Sequence, residues 1–305
     1  MSVFGENRIF IFLNTRRLFG LPCYTFFNEK RLLWQNSYFR KNMEKTETTI
    51  FVDWENLLSD LVAIQRLLNM DFIPPHFDYN NPEQLLALIR SFLEPEEELT
   101  RIYFYVSEPF TENDPRITGK DKKNLENFKT QFPQEYEKKL RNSSKRQTFN
   151  NEIAQQNQVK LRVGRVMVRF EYVFEDERVC GVEAKTSRLR LEFRQKQVDV
   201  LLAHDITKLC YTKLPGCILL FSKDTDFVPV IKTADDKDFK VFIANIKESP
   251  TLVPSDLKKS CDVRERSVAE IVAKLPKSQH TPKKKNYHSN EPFNNPFKDQ
   301  LSKKN

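Results

Sequence analysis

Glycine is scarce in this chain, and so are the soft side chains that bind zinc. Only six of the 305 residues are glycine, and neither a G-x-G-x-x-G pattern nor a P-loop occurs. This argues against a P-loop nucleotide hydrolase and a dinucleotide-binding oxidoreductase, because their backbones approach phosphates through glycines. The five cysteines and four histidines form no C-x-x-C pair and no zinc spacing. We therefore expect free thiols in a reduced, intracellular protein.

Long apolar runs are also missing. Residues 9–13 (IFIFL) are far fewer than the ~20 that span a bilayer, so we predict a soluble, cytoplasmic protein without a membrane partner. Hydrophobic residues make up 39% of the chain, including 25 phenylalanines. That content is enough to build a core of large side chains.

The basic excess lies at the two ends of the chain. Residues 1–43 and residues 276–305 each hold seven Lys or Arg and two acids, which leaves −2 of the net +8 for residues 44–275. The first segment is predicted to be a basic extension, explained by a mis-set start before Met43 or by a targeting leader. The last segment is predicted to be a disordered tail, which either solubilises the protein or adds salt-sensitive affinity for phosphates.

Strands and helices alternate along the central segment, which is typical of an α/β fold with a mainly parallel sheet between two helical layers. We therefore predict one three-layer, Rossmann-like domain over 44–275. The predicted strands lie near 49–53, 101–106, 217–222 and 239–244, with a half-exposed strand or hairpin at 159–174. The predicted helices lie near 54–69, 82–90, 196–211, 227–235 and 268–272. A mostly helical stretch at 121–157 begins an inserted section, 121–195, and long insertions near a site often carry function.

The most informative stretch is the apolar run 217–221, which the acids Asp224 and Asp226 follow. The run predicts a buried strand, so both carboxylates lie where that strand ends. In open α/β sheets the carboxyl ends of the strands open into the ligand crevice. Carboxylates placed together repel one another unless a cation or a proton offsets them. The pattern therefore indicates a divalent metal site, if other acids converge there.

Two further segments supply such acids. Asp53 ends the first predicted strand, and Asn56 follows as the chain turns helical. Asp199 flanks the apolar stripe near the start of the helix predicted at 196–211, so it can face the edge of the sheet. Asp205 follows six positions later on a different helical face, and we expect a structural role for it.

Taken together, these segments resemble the NYN-domain family, and most closely its LabA-like branch, within the PIN-like nucleases. The resemblance rests on strand-D-x-x-N at 53–56, K-x-x-D at 196–199, S-x-D-x-D-F at 222–227 and the aromatic strand at 102–106. It spans about 49–262. It implies a compact PIN-like α/β fold with an acidic, Mg²⁺- or Mn²⁺-dependent ribonuclease site, and hence RNA as the partner. A homodimer is left open.

The resemblance also implies which residues form the site. The implied catalytic residues are Asp53, Asn56, Asp199, Asp224 and Asp226, and the four aspartates are the implied metal ligands. The predicted substrate-binding residues are Lys196, Ser222 and Trp54. Trp54 could stack on a base of single-stranded RNA or form a wedge in the core. Trp54 and Lys223 stand where the family commonly has small residues, and Lys223 could reduce the negative charge of the site.

Phosphodiester hydrolysis explains why the site would need these residue types. The reaction needs a deprotonated water and a neutralised leaving oxygen, and one or two metal ions can supply both. Mg²⁺ is usually held by one or two carboxylates together with waters and substrate phosphate. We expect Asp53 and Asp224 to bind it directly, Asp199 and Asp226 to bind through water or at a second position, and Asn56 to orient a carboxylate.

Other interpretations remain for the same residues. Asp226 or Asp53 could simply cap a helix, and the fold could hold RNA or a protein as a regulatory module without cleaving it. Asp224-Thr225-Asp226 also matches the D-x-D of nucleotide-sugar transferases, and a dehalogenase-type phosphatase would need D-x-D at the first strand. The transferase interpretation leaves D-x-x-N at 53–56 and K-x-x-D at 196–199 without a role, and the first strand ends in Asp53-Trp54-Glu55 instead of D-x-D.

Overall fold

The computed structural model describes residues 45–67, 78–179 and 182–275. The segments 1–43 and 276–305, predicted to be a basic extension and a disordered tail, lie outside the described residues. Within the described part, no helix is both long and apolar enough to cross a membrane.

Seven strands and eight α-helices make up the described part of the chain. The strands are β1 (Thr46–Asp53), β2 (Glu97–Ser107), β3 (Val159–Val179), β4 (Val182–Lys196), β5 (Cys217–Phe221), β6 (Lys240–Ile246) and β7 (Asp262–Arg266). The helices are α1 (Trp54–Leu67), α2 (Pro82–Arg90), α3 (Gly119–Gln131), α4 (Pro133–Ala154), α5 (Val198–Thr212), α6 (Val228–Asp235), α7 (Ser255–Ser260) and α8 (Val268–Ala273). A short 3₁₀ helix, Thr225–Phe227, precedes α6.

The strands form one sheet in the order β4-β3-β2-β1-β5-β6-β7. All neighbours are parallel except β3 and β4, which form an antiparallel hairpin. The strand order reverses between β1 and β5, and ligands of open α/β sheets bind at such a switch point. Val52 pairs with Phe221, so Asp53 and Ser222 leave the sheet side by side.

Side chains of the central strands alternate between two cores, one on each face of the sheet. Ile50 and Val52 pack with α1, α2 and α8, whereas Phe51 packs with α5, α6 and α7. The same alternation along β5 places Leu219 in the first core and Leu220 in the second. This period of two is what a strand covered by helices on both faces requires, and it confirms the predicted three-layer α/β fold.

A third core belongs to the segment that was predicted to be an insertion. Phe128 of α3 and Tyr136 of α4 pack there against Leu191 and Phe193 of the β3–β4 hairpin. The helical stretch predicted at 121–157 is two helices rather than one. The helix is interrupted where proline begins α4, because proline favours the first turn of a helix and breaks helix interiors.

Three other features of the secondary structure differ from the prediction. The strand expected at 159–174 is the first half of a longer hairpin that continues through β4. Lys196 ends that hairpin, Gln197 adopts a left-handed conformation with φ of 71°, and α5 begins only at Val198. Lys196 therefore does not lie one helical turn before Asp199. The short elements α7 and β7 were not predicted at all, because neither is long enough to show a clear period.

Candidate functional site at the switch point

Asp53 is a buried carboxyl at the end of β1, with only 6% of its surface exposed. Its pKa is raised to about 7, chiefly by burial and also by the charges of Asp199 and Glu55, while hydrogen bonds from Asn56 and Ser222 oppose the rise. The charge of Asp199, in the first turn of α5, therefore acts on the carboxyl at the end of β1. A group held near half-ionisation at neutral pH, beside another acid, is typical of a functional site.

Hydrogen bonds join the end of β1 and the first turn of α1 to the loop after β5. The Ser222 hydroxyl donates to Asp53 Oδ2 at 3.4 Å, and the same hydroxyl accepts from the Asp224 N–H at 3.2 Å. The Lys223 N–H donates to Asn56 Oδ1 at 3.1 Å. Ser222 and Asn56 thus hold the β1–α1 junction to the loop after β5, and their contacts set where Asp53 and Asp224 lie relative to each other.

The side chain of Lys223 leaves the acidic site and enters the protein. Its Nζ lies 2.6 Å from Asp60 Oδ2 on α1, and it donates to the Ser249 hydroxyl and to the Thr251 carbonyl at 2.9 and 2.6 Å. The side chain is 4% exposed. Its charge is therefore neutralised by Asp60, and the lysine serves as a buried tether for the Ser222–Asp224 loop.

Asp224, not Asp226, is the helix cap of this loop. Asp224 Oδ1 accepts the Asp226 N–H at 2.9 Å and so caps the 3₁₀ helix. Asp226 therefore does not take the capping role that was its alternative, and its side chain is exposed. Asp53 does cap the first turn of α1, because its Oδ1 accepts the Asn56 N–H at 3.3 Å.

On the α5 side of the site, Asp199 and Asp205 behave differently. Asp199 lies in the first turn of α5 and is exposed, so it is open to an ion or a substrate. Asp205 accepts a hydrogen bond from the Tyr105 hydroxyl at 2.8 Å and pairs with Arg162 at 2.6 Å. It is structural, as the helical spacing predicted.

Trp54 and Lys196 lie apart from this network of contacts. Trp54 is 5% exposed and packs almost parallel to Phe149 at 5.0 Å between ring centroids, with Phe104 at 5.6 Å. It therefore takes the core-wedge role rather than a position open to stacking on a base. Lys196 is exposed at the end of β4.

Potential metal ligands gather only in part. Among the described residues, no group of three or more His, Cys, Asp or Glu side chains could hold a metal ion. Asp53 and Asp199 nevertheless act on each other electrostatically, and two carboxylates suffice for an ion that keeps waters and binds substrate phosphate. The arrangement therefore fits Mg²⁺ or Mn²⁺ held by few protein ligands, rather than a closed protein cage.

Sequence reasoning missed two pairs that support the site. One is Asp60 with Lys223, and the other is Glu55 with Arg146, whose guanidinium lies 2.7 Å from Glu55 Oε1. Both pairs join residues far apart in the chain, so no local spacing reveals them. Asp60 follows Asn56 by one helical turn, which is the only local sign that it lies on the same face of α1.

A three-layer sandwich with aspartates at its switch point defines a PIN-like α/β domain. The NYN domain model matches residues 47–267. That match covers most of the chain, so the chain belongs to the NYN domain family, a family of PIN-like nucleases. Neither the curated proteins nor the solved structures compared with the chain gave a match.

Proposed function

We propose that this chain is a divalent-metal-dependent endoribonuclease of the LabA-like branch, which cleaves single-stranded RNA at the switch point of its sheet. The observation that carries the proposal is the buried carboxyl of Asp53, whose pKa is raised to about 7 by burial and by Asp199. Keeping two acids together at neutral pH disfavours ionisation unless a cation offsets the charge. NYN-family membership supplies the reaction class.

In this proposal the aspartates hold the metal and the neighbouring polar groups position them. Asp53 and Asp199 would hold Mg²⁺ or Mn²⁺, with Asp224 and Asp226 completing the acidic rim. A bound ion supplies a deprotonated water and stabilises the leaving oxygen. Ser222 keeps Asp53 Oδ2 in place through its hydroxyl.

The remaining predicted site residues fit the same scheme. Asn56 fixes the loop after β5 by accepting the Lys223 N–H. Lys196 would contact a phosphate at the exposed end of β4. We propose residues 44–275 as the nuclease domain, with 121–195 inserted in it, and the cytoplasm as the place where it acts.

The test is a cleavage assay on the full chain. End-labelled single-stranded RNA and DNA are incubated with Mg²⁺, Mn²⁺ or EDTA, using the wild type, Asp53→Asn and Asp235→Asn. Asp235 is an exposed acid at the end of α6, before the amino end of β6, so it is a matched control at the opposite edge of the sheet. We expect the wild type and Asp235→Asn to cut RNA only when a metal ion is present, and Asp53→Asn not to cut it.

Cutting of RNA by Asp53→Asn at the wild-type rate would show that the switch point is not the active site.

A second function, an RNA-binding regulatory module with little or no cleavage, is favoured by one observation: the described residues contain no three-ligand metal group. Wild-type RNA binding without cutting under any metal condition would select that function.

A further inference from the structure

A cavity of about 450 Å³ lies beside the candidate site, between α1, α4 and the start of the β3–β4 hairpin. Its lining includes Trp54, which directly follows Asp53, and Glu108, which directly follows β2. The cavity therefore opens at the same edge of the sheet as the aspartates. Its volume is within the range of small-molecule sites, roughly 300–1,000 Å³.

We propose that this cavity binds one base of the RNA strand and thereby selects the nucleotide near the cleaved bond. The proposal rests on the proposed function, since it names a substrate subsite for the same active site. It also gives a role to the inserted segment, because α4 and the hairpin supply much of the cavity wall.

The wall of the cavity is largely aromatic. Phe149 of α4 lines one side, next to the core residue Trp54, and Phe110 packs on Phe193 from β4 with ring centroids 4.7 Å apart and an angle of 28° between the planes. Every nucleobase has a flat apolar face, and stacking on aromatic side chains is how proteins commonly hold single-stranded bases. A cavity lined by Phe149, Phe110 and Phe193 suits such a face.

Polar groups at the cavity suit a base edge and a phosphate. Asn142 carries an amide, which can both donate to and accept from a base edge. Lys145 is exposed beside it on α4, and Lys139 places its Nζ over the Phe193 ring at 5.4 Å. Burial lowers the pKa of Lys139. Cations next to an aromatic wall match a nucleotide, whose base is flat and whose phosphate is anionic.

Arg146 connects the cavity to the site. Its guanidinium donates to the Ser107 hydroxyl at 2.6 Å and lies 2.7 Å from Glu55 Oε1. Glu55 in turn acts on the pKa of Asp53. A base in the cavity would thus lie within one layer of side chains of the acids, which suits recognition close to the scissile phosphate.

The test fills the cavity without removing any core side chain. Ser143→Trp places a bulky ring at a cavity-lining position of α4, and Ser144→Trp places the same ring on the next residue, which is exposed and does not line the cavity. Affinity for a labelled single-stranded RNA is measured by fluorescence anisotropy in EDTA. We expect Ser143→Trp to weaken binding by about tenfold, the scale of one lost stacking contact, and Ser144→Trp to bind like the wild type.

A series of RNAs with one abasic nucleotide at each position completes the experiment. We expect loss of the base at one position to weaken wild-type binding by about tenfold. Loss of the same base should not weaken RNA binding by Ser143→Trp any further. The wild-type series decides the question even if Ser143→Trp fails to fold. Two results would overturn the cavity proposal. One is equal binding of the wild type to all abasic RNAs, and the other is loss of the abasic effect in Ser144→Trp as well as in Ser143→Trp.

The two proposals fail in different ways. Metal-dependent cutting without any abasic effect leaves the nuclease and removes the base site. A single sensitive abasic position without cutting keeps the base site and removes the nuclease. A wild-type chain that binds no RNA overturns the base site, and a partner other than RNA would then have to fill the cavity.

Discussion

At the scale of single residues, Asp53 links the site to the stability of the fold. Its pKa is about 7 in the folded protein, against an ordinary value of 3.8, chiefly because it is buried. The unfolded chain therefore loses this proton as pH rises past about 4, while the folded protein keeps it until about 7. The free energy of unfolding falls over that window and stays lower above it. Asp53 thus destabilises the metal-free protein at neutral pH.

Asp53→Asn should therefore stabilise the metal-free protein, and chiefly at the higher pH. We expect a gain of up to roughly 4 kcal/mol at pH 8, since one pKa unit corresponds to about 1.4 kcal/mol. At pH 4 we expect only a small gain, because the folded protein holds Asp53 protonated and the unfolded chain is near its pKa of 3.8. Urea unfolding in EDTA at the two pH values measures it, with Asp235→Asn as the control. A variant less stable than the wild type at pH 8 would contradict the effect of burial on Asp53.

Lys223 is the second residue with a measurable consequence. Its ammonium is buried against Asp60, Ser249 and Thr251. Lys223→Met should lower the free energy of unfolding by about 3–5 kcal/mol, because it leaves the Asp60 carboxylate buried without its cation. Urea unfolding at neutral pH measures the loss.

The control for the Lys223–Asp60 pair is a variant that also removes the Asp60 carboxylate. The double variant Lys223→Met, Asp60→Leu should recover part of the loss, since no unpaired charge remains. If the double variant loses the sum of the two single effects, then the two side chains do not depend on each other and the tether is wrongly assigned.

At the scale of elements, the position of Asp199 depends on how closely α5 approaches β3. A Cβ added at Gly164 of β3 would lie 2.5 Å from Val198 Cγ2 and 2.7 Å from the Lys196 carbonyl. Both of those atoms belong to the junction between β4 and α5. Glycine at this point therefore permits the close packing that brings the first turn of α5 to the sheet edge.

Gly164→Ala should push this junction away and move Asp199. We expect overpacking to lower the free energy of unfolding by about 1–3 kcal/mol. At a temperature where the variant is folded, we expect its rate of RNA cleavage to fall by a larger fraction than its stability does, because Asp199 has moved. Val163→Ala, at an exposed neighbour, should leave both unchanged. Cleavage at the wild-type rate by folded Gly164→Ala would show that the approach of α5 does not govern the site.

At the scale of the whole molecule, charge is distributed unevenly. Residues 276–305 carry seven lysines and two acids, whereas residues 44–275 carry a net −2. An acidic domain suits metal recruitment, and a basic end suits a polyanion. If the end segment contacts RNA, it adds binding that falls with salt.

Deleting 276–305 should flatten the salt dependence of RNA binding. The slope of log affinity against log salt should become shallower by about 0.7 for each lysine that contacts a phosphate of single-stranded RNA, while a short oligonucleotide is still cleaved. The full chain with the seven lysines changed to glutamine is the matched control for charge alone. An unchanged slope would show that this segment does not touch RNA.

Much of the fold was readable from local patterns. The Asn81-capped helix α2 was predicted at its observed bounds, and β1, β5 and β6 were placed within a few residues, because their apolar runs have a clear period. The break between α3 and α4 was missed, since the side chains on both sides of it continue one stripe. The short α7 and β7 give too few residues for a period to show.

The sequence by itself determined which residues end the strands, and therefore that Asp53 and Asp224 lie at the carboxyl edge of a parallel sheet. Chain order and apolar period carry that information. Only the tertiary structure decided that Lys223 turns inward to Asp60, that Trp54 packs into the core, and that a cavity opens beside the acids. Those outcomes depend on contacts between segments far apart in the chain, and no local pattern encodes which side chain will meet which.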